Sequence, residues 1–127
     1  EKYLSPIMTA CEYGIRPRIH LEDTTKADIY GFVIPFIHRV LEETEGWAKF
    51  RICDTIGWGS PDPYVSMPSG IPRLIATIIK ETGAELEFHG HNDLEWQLPI
   101  AWLLCNTAVK ESTLPSLGWE RGPVIRL

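Results

Sequence analysis

The sequence predicts an α/β fold of parallel strands joined by helices, on three observations. Short strand-like runs alternate with longer stretches of helical period, the links between them are short, and polar clusters recur just after each run. No Gly-x-Gly-x-x-Gly occurs, which disfavours a dinucleotide-binding half. An open doubly wound sheet or part of a (β/α)8 barrel remains.

Tyr3, Leu4, Ile7, Met8 and Cys11 recur at three-and-four spacing, predicting one face of a helix that ends near Gly14. After Pro17, Arg18-Ile19-His20-Leu21 reads as a short strand. Thr24 or Thr25 is expected to cap the next helix, which runs from about Ala27 to Glu45 and stops at Gly46. Ile29, Phe32, Val33, Phe36, Ile37, Val40 and Leu41 give it a broad apolar face, and Pro35 is expected to kink it. Phe50 to Asp54 is the second strand candidate, followed by a Gly- and Pro-rich loop from Gly57 to Pro63. Ile71 to Thr82 is predicted helical, with Leu74, Ile75, Ile78 and Ile79 apolar and Gly83 as the stop. Leu86 to His89 is the third strand, and Leu94 to Leu104, blemished by Pro99, a further crossover helix. From Lys110 to Leu127 no clear period is present.

Composition narrows the function classes. The 127 residues carry 12 Lys and Arg against 17 Asp and Glu, a formal charge of −5. That balance, with no basic run, argues against a nucleic-acid groove or an anionic membrane surface as partner. No stretch reaches the roughly 18 uninterrupted apolar residues of a membrane span. The hydrophobic share of 44% suffices for a core. Cys11, Cys53 and Cys105 are odd in number and form no C-x-x-C, so neither a disulfide framework nor a thiolate zinc site is expected. With no signal peptide in view, reduced thiols in a cytoplasm are the expectation.

His89-Gly90-His91-Asn92-Asp93 is the strongest chemical signal. Alternate strand residues share a face, so both histidines can converge on one ion with a small residue between them. A neighbouring aspartate would complete an open site for a hard divalent cation. The plain alternative is two solvent-facing histidines near a turn. Glu22-Asp23 fits an active-site carboxylate pair or a charged helix N-terminus, and capping is the reading the residues alone favour. His20 is either a ligand or, as favoured, a half-buried strand residue. Asp54-Thr55 either binds substrate or makes an Asx-type turn into the glycines. His38 is expected on the surface, and Trp47 and Trp102 in core or edge packing.

Taken together, three ordered segments resemble a family: Arg18 to Asp28 (RIHLEDTTKAD), Ile52 to Gly57 (ICDTIG) with Pro61, and Phe88 to Asp93 (FHGHND). They occur in the order and spacing of the acyl-CoA-dependent Claisen-condensing enzymes. These are the isopropylmalate, homocitrate and Re-type citrate synthases, related to hydroxymethylglutaryl-CoA lyase and the pyruvate-carboxylase transferase domain. The resemblance runs from about Tyr3 to Trp102. It implies a partial (β/α)8 TIM barrel of parallel βα units, about strands 5 to 8, with residues 1–127 forming a fragment of one catalytic domain.

The resemblance also implies roles. His89 and His91 would ligate a divalent metal (Mg, Mn or Zn). Glu22 and Thr55 would be catalytic and substrate-binding residues beside the metal-bound α-keto acid, with His20 also facing substrate. Acetyl-CoA would be co-substrate, its deprotonated methyl attacking the polarised keto group. A homo-oligomer is expected. A lyase or carboxyltransferase on the same barrel is the alternative chemistry, and a non-catalytic half-barrel binding metal or a partner the alternative class.

A complete barrel takes about 250 residues, so this segment is expected to be about half of one. The family's first-strand Asp-Arg-Glu, which brings another metal ligand and an arginine, does not occur here, and no turnover by this chain alone is expected. Where the family carries Gly-x-Gly-Glu-Arg-Thr-Gly-Asn, the chain reads Gly118-Trp-Glu-Arg-Gly-Pro-Val-Ile-Arg-Leu127. These ten residues can be encoded so that a shift of one nucleotide yields Gly-Met-Gly-Glu-Arg-Thr-Gly-Asn-Pro-Pro. Residues 104–127 are therefore expected to be an out-of-frame tail, with the slip between about Leu103 and Lys110.

Overall fold

A computed structural model describes residues 2–91, 99–100, 118–119 and 123–126. The first half is helix α1 (Leu4–Glu12), strand β1 (Arg18–Leu21), a 3-10 turn (Thr24–Lys26), a π turn (Ile29–Val33), helix α2 (Ile34–Glu43) and strand β2 (Lys49–Asp54). Helix α3 (Ile71–Thr82), strand β3 (Leu86–Gly90), and the short strands β4 (Gly118–Trp119) and β5 (Pro123–Arg126) follow. The sheet order is β1-β2-β3-β5-β4. β1, β2 and β3 are parallel, as expected of βα units, with Leu21 opposite Ile52 and Cys53 opposite His89.

The sheet departs from the expected all-parallel run at its far edge. β5 lies antiparallel on β3 and β4 antiparallel on β5. An antiparallel pair needs only a short link, as between β4 and β5, whereas a parallel neighbour requires a crossover of a dozen or more residues. The three parallel strands fit part of a barrel. Of the expected helix from Leu94 to Leu104, only Pro99 and Ile100 are described, both helical, with Ile100 buried in the core. Asn92, Asp93, Trp102, Cys105 and the expected frame slip lie outside the described residues.

Alternation along the strands gives the sheet two unlike faces. Phe50, Ile52, Leu86 and Phe88 point to one side, where they are buried with Val33, Ile37 and Val40, Leu74, Ile75 and Ile78. The opposite side carries Arg18, His20, Arg51, Cys53, Glu87 and His89. This second face is built as an ion cluster: Arg51 donates through Nε and a terminal nitrogen to one Glu87 oxygen at 3.0 and 2.9 Å. The Arg18 Nε lies 3.4 Å from that same oxygen.

Local chemistry explains the helix boundaries. Gly83, with φ +65°, closes α3 by returning its N–H to the Ile79 carbonyl at 2.8 Å. The expected helix from Ala27 to Glu45 is not continuous. Proline has no N–H to give the carbonyl four residues back, and a π turn carries the chain until Pro35 falls in the first turn of α2, where no donor is needed. The interruption expected at Pro35 takes the form of a change of helix type. The wider turn also rotates Phe32 off the apolar face, leaving it 57% exposed and stacked on Phe36 at 5.8 Å. Neither Thr24 nor Thr25 caps this helix. Thr24 donates to the Leu21 carbonyl and Thr25 to Asp54, while Asp28 accepts the Gly31 N–H at 2.8 Å. On α3, Ile79 is more exposed than its place in the apolar pattern suggests. Trp47 is 39% exposed and lies outside the core, while His38 is on the surface, as expected.

Candidate active site

Parallel strands in register end together, and the polar clusters that follow β1, β2 and β3 therefore meet. His20 and Glu22 share a face at the end of β1 because they are two residues apart. The register that sets Leu21 beside Ile52 brings Glu22 next to Cys53. Ligand atoms of His20, Glu22 and Cys53 all lie within 4.8 Å of one another. Thr55 donates its hydroxyl to Glu22 Oε2 at 2.7 Å and accepts the Asp23 N–H at 2.8 Å, tying the two loops together.

His89 and His91 stand edge to face, with ring centroids 5.5 Å apart. Gly90 between them points to the helix side, where a Cβ would come within 2.9 Å of the buried Phe88 ring. The small residue between the histidines is thus a packing requirement of the core beneath them. The His89 imidazolium is disfavoured, first by burial, then by the charges of His91 and Arg51, with Glu22 acting in the opposite sense. A ring held neutral keeps the nitrogen lone pair that an ion needs. Paired imidazoles beside a carboxylate are a donor set that fits a divalent cation.

The two acidic segments divide their work differently from the capping expectation. Glu22 does not cap a helix; its carboxylate is engaged by Thr55. Asp23 precedes the 3-10 turn with φ 54° and no side-chain capping bond, because its backbone is turned by the Thr55 contact. His20 is exposed rather than half-buried, with no helix among the described residues packed on its face of β1. Asp54 takes the turn role: its two oxygens accept the Trp58 N–H at 3.0 Å and the Gly59 N–H at 2.7 Å, and Thr25 donates at 3.0 Å. Sequence reasoning missed Cys53. Its signal was present in the alternation Arg51, Cys53, Thr55, which puts the thiol on the polar face.

Burial and then the Glu22 carboxylate push the Cys53 thiol up to about 12. At pH 8 the thiolate is therefore about one part in 10,000, and iodoacetamide has little to react with. Cys53 is expected to be alkylated at least about 100-fold more slowly than half-buried Cys11, measured per peptide by mass spectrometry. Equal rates would show that Cys53 is neither buried nor held protonated.

No family model matches the chain. It is 42% identical to the citrate (Re)-synthase of Syntrophus aciditrophicus, a match covering 96% of this chain and 21% of that protein. Identity to the citrate (Re)-synthase of Clostridium kluyveri is 37%, over 90% of this chain and 27% of the relative. Identity to the 2-phosphinomethylmalate synthase of Streptomyces hygroscopicus is 38%, over 86% and 25%. The chain thus spans about a fifth to a quarter of the length of the curated relatives it matches.

Proposed function

We propose that this chain, whose homologues are the citrate (Re)- and 2-phosphinomethylmalate synthases of the pyruvate carboxyltransferase family, carries part of the active centre of a synthase that condenses acetyl-CoA with an α-keto acid. The segment is part of one (β/α)8 domain. His89 and His91 hold a divalent cation, and Glu22, Thr55 and His20 face the keto acid. The observation that carries the reading is the meeting of three strand ends on one polar face, which sets the paired histidines beside the Thr55–Glu22 hydrogen bond.

A bound cation supplies Lewis-acid polarisation of a carbonyl. The chain's own residues do the rest. His89 stays neutral and so competes weakly for protons at neutral pH. Thr55 engages one Glu22 oxygen through the 2.7 Å bond, which links the carboxylate to the loop after β2. Beneath them, Arg18 and Arg51 both meet the buried Glu87 carboxylate, so the floor is an ion cluster with one positive charge in excess.

Mn(II) titration followed by electron paramagnetic resonance tests the reading. The chain is expected to bind about one Mn(II), and His89→Asn/His91→Asn to weaken binding at least about 100-fold, beyond the 10–100-fold typical of losing a supporting partner. Unchanged Mn(II) affinity in the double variant would overturn it.

A further inference from the structure

The three donors at the end of β1 and β2 are chemically unlike the histidine pair beside them. They offer an imidazole, a carboxylate and a thiol, all within 4.8 Å. Hard ions such as Mg(II) and Mn(II) prefer oxygen, whereas a thiolate with an imidazole suits borderline-soft ions. We propose that His20, Glu22 and Cys53 form a second cation site, taking a thiophilic divalent ion such as Zn(II) or Cd(II).

Three features of the fold support this. His20 is on β1, Glu22 is in the turn just after the strand ends at Leu21, and Cys53 follows Ile52, the register partner of Leu21, so the three donors meet at the strand ends. Donors around a four-coordinate zinc ion sit about 3.3–3.8 Å apart, so the group has to close by roughly 1 Å. His20 and Glu22 are exposed and can rotate to do so, while Cys53 is buried and fixed. Thr55 binds one Glu22 oxygen, Oε2, which leaves the carboxylate able to act as a monodentate ligand. On binding, the sulfur–metal bond forms as the thiol proton leaves to solvent, and water completes the shell. The site goes beyond the synthase reading, which does not use Cys53. Only one consequence rests on that reading: a thiophilic ion, by occupying Glu22, would inhibit the condensation.

Cd(II) titration of the full chain, in a Cys11→Ser/Cys105→Ser background, tests the site through the thiolate-to-cadmium charge-transfer band. The band is expected to saturate at about one equivalent and to vanish in Cys53→Ser. Affinity is expected to fall at least about tenfold in His20→Asn and in Glu22→Gln. His20 is an exposed strand residue, so its variant keeps the fold and the test does not depend on Cys53→Ser alone. His89→Asn/His91→Asn should retain the band while losing Mn(II), which separates failure of this site from failure of the synthase reading. A band that survives Cys53→Ser would overturn the proposal. So would Cd(II) affinity unchanged by His20→Asn, or lost equally with the His89/His91 pair.

Discussion

Replacing Asp54 by alanine is expected to lower folding stability by about 3–5 kcal/mol, a large share of the roughly 5–15 kcal/mol typical of a domain. Asp54 is 2% exposed and accepts from three donors of different origin: the Thr25 hydroxyl, the Trp58 N–H and the Gly59 N–H. Alanine leaves those donors facing a cavity, and each buried donor without an acceptor costs about 1–3 kcal/mol. Gly59 also sits so close to the buried Ile71 that a Cβ would fall 2.7 Å from it, which limits how far the loop can settle inward to repair the loss. Asparagine should be nearly as harmful. Its amide has one acceptor oxygen, while Trp58 and Gly59 address two different oxygens of Asp54, so one N–H must meet an NH2 group in either flip. Urea unfolding checks both variants: the midpoint should fall with the slope unchanged. A loss under about 1 kcal/mol for Asp54→Ala would show that the loop is not held this way.

The same residue shows what can be read from a sequence and what cannot. β1, and α3 with its glycine stop, follow from short-range pattern, and both are found at the expected bounds. The placement of His20, Glu22, Thr55, His89 and His91 near one another follows from parallel pairing plus two-residue alternation, both legible before any coordinates. Asp54 was correctly legible as a turn-former, because Asp before a Gly-rich loop is a local signal. Its third partner, Thr25, is 29 positions away and could not be read from local pattern. The Glu22 role inverted for the same reason: capping is a local preference, while the Thr55 hydroxyl that displaces it arrives from another strand. Pro35 misled in the opposite direction. Its missing N–H was anticipated, but not that a π turn would precede it and leave Pro35 in the first turn of a separate α-helix. The antiparallel β4–β5 edge had no periodic signal at all.

Removing either partner of the Arg51–Glu87 pair is expected to cost about 3–5 kcal/mol, whereas removing both should cost about 1 kcal/mol or less. Glu87 is fully buried and Arg51 nearly so, 15% exposed at its side chain, so each single variant strands a charge in a place water scarcely reaches. Glu87→Leu leaves the Arg51 guanidinium without its 2.9 and 3.0 Å acceptor. Arg51→Met removes both of its short donors to Glu87, while the Arg18 contact is longer, at 3.4 Å, and comes from a side chain 40% exposed. In Glu87→Leu/Arg51→Met, two apolar groups pack across β2 and β3, and Arg18 can turn its head to solvent. Urea unfolding of the four members of this cycle gives the coupling directly. If the double variant loses the sum of the singles, the pair does not act as a compensated unit and the polar face is held otherwise. The cycle also reaches the site. Burial first, then the charges of His91 and Arg51, hold His89 below the ordinary histidine range. Loss of Arg51 should therefore raise the His89 pKa, read by NMR titration of the imidazole protons, whereas a purely structural role for Arg51 would leave that titration where it was.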